Sequence, residues 1–573
     1  MLRTRASALV AGLALAGLLL PALALPSPAA AFCGFYVGGA DASLYNDATM
    51  VVMMREGTTT VLSMQNTYEG PPEGFAMVVP VPEVLDEEHV RTLPQEVFER
   101  VDSLAAPRLV EYWEQDPCYR PPRRYMMARG ASRRSRARPT AAPPRQQDLG
   151  VTVEAEFAVG EYDIVILSAR ESMGLETWLH QEQYAIPAGA AEVLDPYVQL
   201  GTKFFVAKVD PERVTFEGGR ALLSPLRVHY TSETFSLPVR LGLLNSRGQQ
   251  DLIVHVLAKQ QRYEVANYPN VPIPTNLVVE DATRERFGSF YRALFDRVRE
   301  ENPGAVVTEY SWRATSCDPC PTTPLQPHEL AILGADVIEG QPLPAPQATP
   351  PGSPPVRRRA RRPSFGGGSE WTLTRLHHRY GPDDLDRDLV FRAVPAIVGG
   401  RGMPNAEGEL QEKHAVAQGG VNNFQGRYVI LHRWEGAIEC ENPQRGRWGG
   451  PPGGGGTRQP VAAPSAVRAQ PEPVADVTTL VSDPDERYLA IAATPAADTS
   501  LGVLPAPRTP QPAPVAAPVD EPAEEGSGGG QAGATTEPGS GGCASCSAGS
   551  GGPAGAALVL LGLGLGLLRR RSR

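Results

Sequence analysis

The chain has 573 residues and a formal net charge of −10 at pH 7, which argues against a nucleic-acid-binding protein because such proteins present strongly basic surfaces. Proline (57 residues) and glycine (58 residues) are concentrated in a few stretches. Those stretches cannot bury enough apolar surface to offset the entropy of ordering. We therefore expect a packed body that is much shorter than the chain.

Residues 1–31 have the pattern of a secretory signal peptide. Two arginines near the start are followed by an apolar run and by three alanines at 29–31, the small residues that signal peptidase prefers. We predict export by the secretion machinery and cleavage between Ala31 and Phe32. A retained membrane anchor is the alternative, but Pro21 and the short apolar run argue against it.

The first folded segment opens with signals of β-structure. Two β-branched, apolar runs, Met50–Arg55 and Thr58–Thr67, flank the dipeptide Glu56-Gly57, which predicts a hairpin. A third strand is predicted at Phe75–Pro82. A helix with one apolar face follows it, and Thr92 is predicted to be the N-cap of that helix.

Residues 120–147 are rich in Arg and Pro and are predicted to be a disordered insertion. After them the strand pattern returns, with one short helix at Glu171–Tyr184. The clearest helix has apolar residues at helical spacing from Phe287 to Val298, with Asp281 as its predicted cap. Further strands are predicted at Val151–Phe157, Tyr162–Leu167, Phe204–Val209, Leu226–Tyr230, Phe235–Leu241, Leu252–Ala258 and Ala305–Trp312.

Residues 341–368 form a second Pro- and Arg-rich linker, also predicted to be disordered. Residues 369–440 contain only three further strand-like runs, so we expect them to complete the sheet begun in residues 32–340. The fold class is then α+β, with a mostly antiparallel sheet and a few packed helices. Residues 441–552, rich in Pro, Ala and Gly, are predicted to be a disordered stalk.

The C-terminal residues 541–573 combine three features in a fixed order. Cys543 and Cys546 come first, the apolar residues 554–568 follow, and Arg569-Arg570-Arg571 lies near the end. A helix over the apolar residues spans about 22 Å, which is short of the roughly 30 Å hydrocarbon core. We predict a short C-terminal hydrophobic helix that brings the chain to the membrane.

This tail resembles the MYXO-CTERM sorting signal of myxobacteria. The resemblance implies cleavage near Cys543, with Cys546 as the second candidate, by a myxosortase-type intramembrane protease. It also implies display at the outer cell surface. An ordinary C-terminal transmembrane anchor is the alternative, and both interpretations place the body outside the cytoplasm.

The body, over about residues 32–440, resembles the DUF2330 family of exported proteins of unknown function. The resemblance implies export but no activity. The residues that carry it are Cys33-Gly34-Phe35, Tyr68-Glu69-Gly70, Phe75–Pro82, Trp312, Cys317-Asp318-Pro319-Cys320 and Leu373-Thr374-Arg375-Leu376-His377.

Cys317-Asp318-Pro319-Cys320 is the sharpest local motif, and it has three interpretations. A disulfide within a loop requires only an oxidising compartment. A zinc site requires two further ligands, and only His328 is a loose candidate. A thioredoxin-like redox pair normally begins a helix, whereas the prolines around this motif favour a turn. We predict the loop disulfide.

The body contains five cysteines, so at least one is unpaired within the chain. We predict that Cys33 and Cys118 form the second disulfide, which would tie the mature N-terminus to the end of the first helix. Cys440 is then left over.

The best candidates for metal ligands are His377, His378, Asp384, Asp386 and Asp388. The alternating aspartates mimic the start of a calcium-binding loop, but the loop positions for glycine and the bidentate glutamate are occupied by other residue types. A polar turn between strands is the simpler interpretation. We therefore assign no metal and no cofactor.

The sequence has no G-x-S-x-G, H-E-x-x-H or P-loop motif, so no local pattern indicates an enzyme. The leading hypothesis is an envelope- or surface-anchored, non-catalytic binding or structural protein. Its basic runs Arg120–Arg145 and Arg357–Arg362 are candidate sites for anionic envelope polymers. The alternatives are a secreted metal-dependent enzyme and a thiol–disulfide redox protein that uses Cys317 and Cys320.

Overall fold

The protein is described by a computed structural model that covers residues 35–37, 49–65, 76–119, 151–182, 184, 186, 189–217, 220–245, 248–340, 371–452, 459–463, 476–482 and 489–508. The predictions for the signal peptide, the insertion, the second linker and the sorting tail lie outside these residues. Within the described ranges, no helix is long and apolar enough to cross a membrane.

The helices include two long amphipathic ones and several short ones. They are α1 (Gln95–Ala105), α2 (Ser172–Gln181), α3 (Ala190–Gln199), α4 (Phe287–Glu301), α5 (Pro327–Leu330) and α6 (Asp336–Ile338). The strands, in chain order, are β1 (Phe35–Val37), β2 (Thr49–Glu56), β3 (Thr59–Gln65), β4 (Ala76–Val81), β5 (Val90–Thr92), β6 (Arg108–Glu114), β7 (Val151–Val159), β8 (Tyr162–Ala169), β9 (Lys203–Val209), β10 (Thr215–Glu217), β11 (Arg220–Leu222), β12 (Leu226–Thr231), β13 (Ser236–Leu237), β14 (Gln250–Lys259), β15 (Arg262–Val265), β16 (Asn270–Pro272), β17 (Leu277–Val278), β18 (Val306–Arg313), β19 (Trp371–Tyr380), β20 (Leu389–Val394), β21 (Ile397–Gly399), β22 (Val416–Ala417), β23 (Asn423–Gln425), β24 (Arg427–His432), β25 (Trp448–Gly449) and β26 (Val461–Ala462).

The largest sheet has the strand order β22-β21-β23-β18-β19-β14-β2-β3-β12-β5, with β16 beside β18. Most neighbours are antiparallel, and the predicted hairpin is the β2–β3 pair. Strand β19 pairs with β14 from Gln250 to Lys259 and also with β18. The residues after the second linker therefore complete a sheet begun before it, and the fold is α+β, as predicted.

The remaining sheets and helices form layers on both faces of the largest sheet. One face shares an apolar core with the second sheet, β1-β4-β9-β8-β7, whose outer face is covered by α2 and α3. The other face packs against α1 and α4. A third sheet has the order β17-β24-β6-β25, with β26 beside β6. It packs on the side of α4 that faces away from the largest sheet.

Some local predictions are wrong because tertiary contacts override the local signals. Thr92 lies in β5 opposite Leu226, so it does not cap α1, which begins after Pro94. Asp281 begins a 3₁₀ turn, and α4 begins only at Phe287. Helix α3 has no counterpart among the sequence predictions.

The predicted stalk is wrong for its first part, because the described residues between 441 and 508 pack on the body. Strands β25 and β26 pair with β6, and Leu480 and Leu489 are buried in the core around α4. Residues 489–508, here called the C-terminal strap, then reach α3, where Arg508 forms an ion pair with Asp195. The strap uses the core of the body, so its own composition does not reveal that it folds.

The second predicted disulfide is also wrong, since the structure joins Cys118 to Cys440. The residues after β24 turn back along β6, and the amide of Gln444 donates to the carbonyl of Pro117 at 2.9 Å. This pairing brings Cys440 beside Cys118. Cys33 lies outside the described residues. The structure has the predicted disulfide between Cys317 and Cys320.

Candidate functional site

A network of charged side chains is buried between the largest sheet and the helices α1 and α4. It contains seven charged residues and one tyrosine hydroxyl. The members are Asp102 on α1, Asp251 on β14, Tyr291 and Asp296 on α4, Glu309 on β18, and Arg375, His377 and Arg379 on β19.

The backbone explains why these side chains meet. Arg375, His377 and Arg379 alternate along β19, and alternate residues of a strand point to the same face of a sheet. The register between β18 and β19 shifts between Thr308 and Tyr310, which is a β-bulge that adds Glu309 to the strand. Bulges redirect side chains in this way, and here the redirected carboxylate meets β19.

Glu309 is the centre of the network and is fully buried. Its Oε1 lies 2.7 Å from Nδ1 of His377, its Oε2 accepts from Nε of Arg375 at 2.5 Å, and the hydroxyl of Tyr291 donates to Oε1. Burial acts to raise the pKa of Glu309, but the charges of His377 and Arg375 outweigh burial and lower it to about 2. Glu309 is therefore ionised in the folded protein at neutral pH.

His377 lies between two carboxylates. Its Nδ1 faces Glu309, its Nε2 lies 2.9 Å from Oδ1 of Asp251, and its ring stacks on Phe295 with 4.0 Å between the centroids. Burial acts to lower the pKa of His377, but Glu309 and Asp251 together raise it. The arrangement therefore favours the imidazolium form, in which both ring nitrogens donate to carboxylates.

The network is most exposed at the end formed by Asp251, Asp296 and Arg379. Arg379 donates from Nε to Oδ1 of Asp251 at 2.7 Å and from the terminal nitrogen to Oδ2 at 3.1 Å, and it also pairs with Asp296. These three side chains are each about one-fifth exposed. At the buried end, Arg375 pairs with Asp102. The network therefore joins three strands to two helices.

The structure does not bring the predicted metal ligands together. His377 faces α4, whereas the neighbouring His378 lies on the opposite face of β19, beside the rings of Tyr268 and Tyr380. Among the residues that the structure describes, no group of three or more His, Cys, Asp or Glu side chains could hold a metal ion. The described part of the chain therefore offers no support for the metal-site interpretation.

The three aspartates after β19 have separate roles in holding the backbone. Asp384 accepts from the amide of Gly381 at 3.1 Å, and Asp386 pairs with Arg387. The carboxyl group of Asp388, unlike those of the other two, is buried. The alternating spacing of these aspartates reflects an ordered turn.

Asp388 connects β20 to α3 and to the segment after β13. Its Oδ1 accepts from the hydroxyl of Tyr197 at 2.9 Å and from the amides of Val239 and Arg240 at 2.8 and 3.3 Å. Burial raises the pKa of Asp388 to about 6, and these hydrogen bonds offset only part of that effect. The amide donors also explain why the predicted strand Phe235–Leu241 is limited to Ser236–Leu237.

Sequence reasoning selected His377 but missed Glu309, Asp251 and Arg375. One signal was available, because charged residues alternate with apolar ones inside β19. A sequence pattern cannot say whether such an alternating face meets water or another layer. In this protein both faces of β19 are covered, so the charges are buried and must pair with one another.

Comparison with known proteins identifies the family but no activity. A sequence model of an uncharacterised family that is conserved in bacteria, DUF2330, matches residues 27–392. Because this match covers well over half of the 573 residues, the chain belongs to that family. No curated protein and no solved structure matches the chain.

Proposed function

We propose that this DUF2330 protein is exported and fixed to the cell envelope, where it acts as a non-catalytic binding or structural module. The observation that carries the proposal is the disulfide Cys118–Cys440, which joins residues 322 positions apart. Structural disulfides form and persist in oxidising compartments and are rare in the cytosol. The signal-peptide pattern of residues 1–31 supports the same location.

The charged network supports a structural role for the core of the body. Each of its four carboxylates pairs with a cation of the same network, as Glu309 does with Arg375 and Asp251 with Arg379. Charged groups that are satisfied in this way stabilise one packing arrangement once they are paired.

The C-terminal sequence supports attachment to the envelope. The described body ends at Arg508, which is held on α3, and the sorting-type residues of 541–573 follow in the sequence. On this proposal a myxosortase-type protease cuts near Cys543 and displays the body at the cell surface. The Arg-rich residues 120–147 are then available to anionic envelope polymers.

Mass spectrometry of the protein from surface fractions tests the location and the processing. We expect a mature N-terminus at Phe32, oxidised Cys118 and Cys440, and no peptides from residues 558–569. Recovery of a cytosolic protein with an intact leader and reduced thiols would contradict export. Recovery of surface protein that retains residues 558–569 would contradict cleavage of the tail but not export.

A matched pair of variants tests the role of the tail. Cys543→Ala is expected to abolish processing and surface display, whereas Cys546→Ala, three residues away, is expected to leave both unchanged. Metal analysis of the purified full chain tests the non-catalytic part of the proposal against a metal-dependent enzyme. One tightly held metal ion per chain would contradict it.

A further inference from the structure

The loop that carries Cys317 and Cys320 is bound to the body by side chains that donate to its carbonyl groups. Arg108 donates to the carbonyl of Pro319 at 3.1 Å, and Gln425 donates to that of Asp318 at 2.6 Å. Arg100 donates to the carbonyls of Thr323 and Pro324 at 3.0 and 3.4 Å. Residues 317–324, here called the cysteine loop, therefore lie on arginine side chains.

Arginine side chains lie beneath the cysteine loop, and the nearby carboxylates include Asp318 in the loop itself, whose charge acts on Arg427, and Glu329, which forms an ion pair with Arg100. Arg108 is fully buried and forms no ion pair with a carboxylate among the described residues; its other acceptors are the carbonyls of Leu104 and Ala106. Arg427, which is opposite Arg108 in the β6–β24 register, donates to neutral oxygens such as the Asn276 amide oxygen at 2.7 Å. Two positive charges thus lie under the loop with neutral hydrogen-bond partners.

The two cysteine residues of this disulfide differ in their exposure. Cys320 is exposed to solvent, whereas Cys317 is half-buried and packs against the apolar core around α1. The other disulfide joins Cys118 and Cys440, which are 322 positions apart, and both of these residues are half-buried. A reductant in solution can therefore reach Cys320 without any separation of distant segments.

We propose that Cys317–Cys320 is a redox-active disulfide that exchanges with dithiols in the envelope, whereas Cys118–Cys440 is purely structural. Reactive cysteines occur in electropositive, partly exposed surroundings, because positive charge stabilises the thiolate. Arg108, which has no carboxylate partner among the described residues and donates to the loop, and the exposure of Cys320 provide both conditions. The inference does not depend on how the protein is anchored.

The exchange proceeds in two balanced steps. A thiolate of the partner dithiol attacks Sγ of Cys320, the bond between Cys317 and Cys320 breaks, and Cys317 leaves as a thiolate. The second thiol of the partner, once deprotonated, then attacks its own sulfur in the mixed disulfide and releases Cys320 as a thiolate. The partner loses two electrons and becomes a disulfide, and the loop gains them and takes up the two protons.

Stepwise reduction of the native full chain tests the proposal. The folded protein is equilibrated with increasing dithiothreitol, the free thiols are alkylated, and each cysteine is quantified by mass spectrometry. We expect Cys317 and Cys320 to become alkylated at about tenfold lower dithiothreitol than Cys118 and Cys440, with unchanged circular dichroism. Simultaneous opening of both disulfides, or opening only on unfolding, would overturn the proposal.

Single-cysteine variants test which of the two sulfur atoms is more accessible to a reagent in solution. Cys317→Ser leaves the exposed thiol of Cys320, and Cys320→Ser leaves the half-buried thiol of Cys317. We expect glutathione disulfide to form a mixed disulfide about tenfold faster with Cys317→Ser than with Cys320→Ser. Equal rates, or a faster reaction of Cys320→Ser, would contradict the premise that Cys320 is the more accessible sulfur.

Substitution of Arg100 distinguishes a redox-active loop from a merely structural one, because it is expected to change the pH profile of cysteine alkylation. In the Cys317→Ser background, Arg100→Gln removes a cation next to the loop and leaves Glu329 without this ion-pair partner, whereas Arg100→Lys preserves the charge. We expect the pH profile of iodoacetamide alkylation to move to higher pH in the first variant and to return in the second. A profile that is identical in all three proteins would refute the role of the arginines.

Discussion

Glu309 and His377 face each other across β18 and β19, with 2.7 Å between Oε1 of the glutamate and Nδ1 of the histidine. The bulge in β18 is what brings the carboxylate to this position. His377 in turn contacts Asp251 and the ring of Phe295 on α4. This one pair therefore links the register of two strands to the packing of a helix, and it predicts how the protein responds to mutation and to pH.

Substitution Glu309→Gln is expected to lower the free energy of unfolding by about 3–5 kcal/mol, because it leaves buried cations without their shared counter-charge. Urea denaturation at pH 7 measures the change. The matched control is Glu300→Gln on the exposed side of α4, which should change stability by less than about 0.5 kcal/mol. Equal stability of the two variants would show that Glu309 does not hold the network together.

The network is expected to make stability depend on pH in two opposite directions. The pKa of Glu309 is lowered to about 2, so its contribution is present above the unfolded value of about 4.3 and is lost as the pH falls through about 2. The pKa of His377 is raised, so its contribution is present below about 6.5 and is lost as the pH rises through the folded value. Urea denaturation at a series of pH values from 2 to 9 measures both the acid loss and the alkaline loss of stability.

The variant His377→Gln separates the alkaline loss of stability from the acid loss. It should remove the alkaline loss of stability that is due to this network, and it should leave an acid loss from the remaining carboxylates. The difference between the wild-type and variant curves isolates His377 from the other buried histidines, such as His378, whose pKa is lowered by burial to about 4. If the difference is constant across the pH range, the ionisation of His377 is not coupled to folding.

Asp388→Asn is expected to stabilise the protein at pH 7.5 by as much as about 2 kcal/mol. Burial raises the pKa of Asp388 to about 6, so the folded state favours the neutral acid. Its contribution is complete below the unfolded value of about 3.9 and is lost as the pH rises through about 6. An asparagine is neutral throughout and retains the oxygen that accepts from Tyr197 and Val239.

The control for this variant is Asp383→Asn in the same loop, where the side chain is exposed. It should leave both the stability and its pH dependence unchanged. Thermal unfolding at pH 4.0 and pH 7.5 is sufficient for the comparison. A loss of stability in Asp388→Asn at pH 7.5 would mean that the ionised carboxylate is the form that the fold requires.

The C-terminal strap is expected to be part of the cooperative fold. Leu489 is only 1% exposed, whereas Val503 on the same strap is 58% exposed. Leu489→Ala should therefore cost about 2–5 kcal/mol of stability, and Val503→Ala should cost less than about 0.5 kcal/mol. If both variants unfold like the wild type, the strap is not cooperative with the body.

Local patterns were sufficient for many of the longer elements, although they missed β6 and α3. The hairpin of β2 and β3 follows from two apolar runs around Glu56-Gly57, and α4 follows from the helical spacing of its apolar residues. The disulfide between Cys317 and Cys320 could also be predicted, since the two cysteines are only three positions apart. These features depend on neighbours in the sequence, and such neighbours are visible without a structure.

Contacts between distant segments were not accessible in this way. Cys118 was assigned to Cys33 because nothing in the sequence shows that residues after β24 return along β6 to Cys440. The sequence predicts a stalk for the strap because its apolar residues are sparse. Leu489 becomes buried only when the strap packs on the core around α4.

The α+β class, many of the longer strands and the placement of Cys317 and Cys320 in one loop can be predicted from the chain alone, because each depends on short-range spacing. The buried network of Glu309, Arg375 and His377 becomes visible only in the folded protein. A charged residue on a strand has the same local pattern whether its face meets water or another layer. The bulge in β18 and the packing of α1 and α4 remove the water, and the charges must then pair with one another.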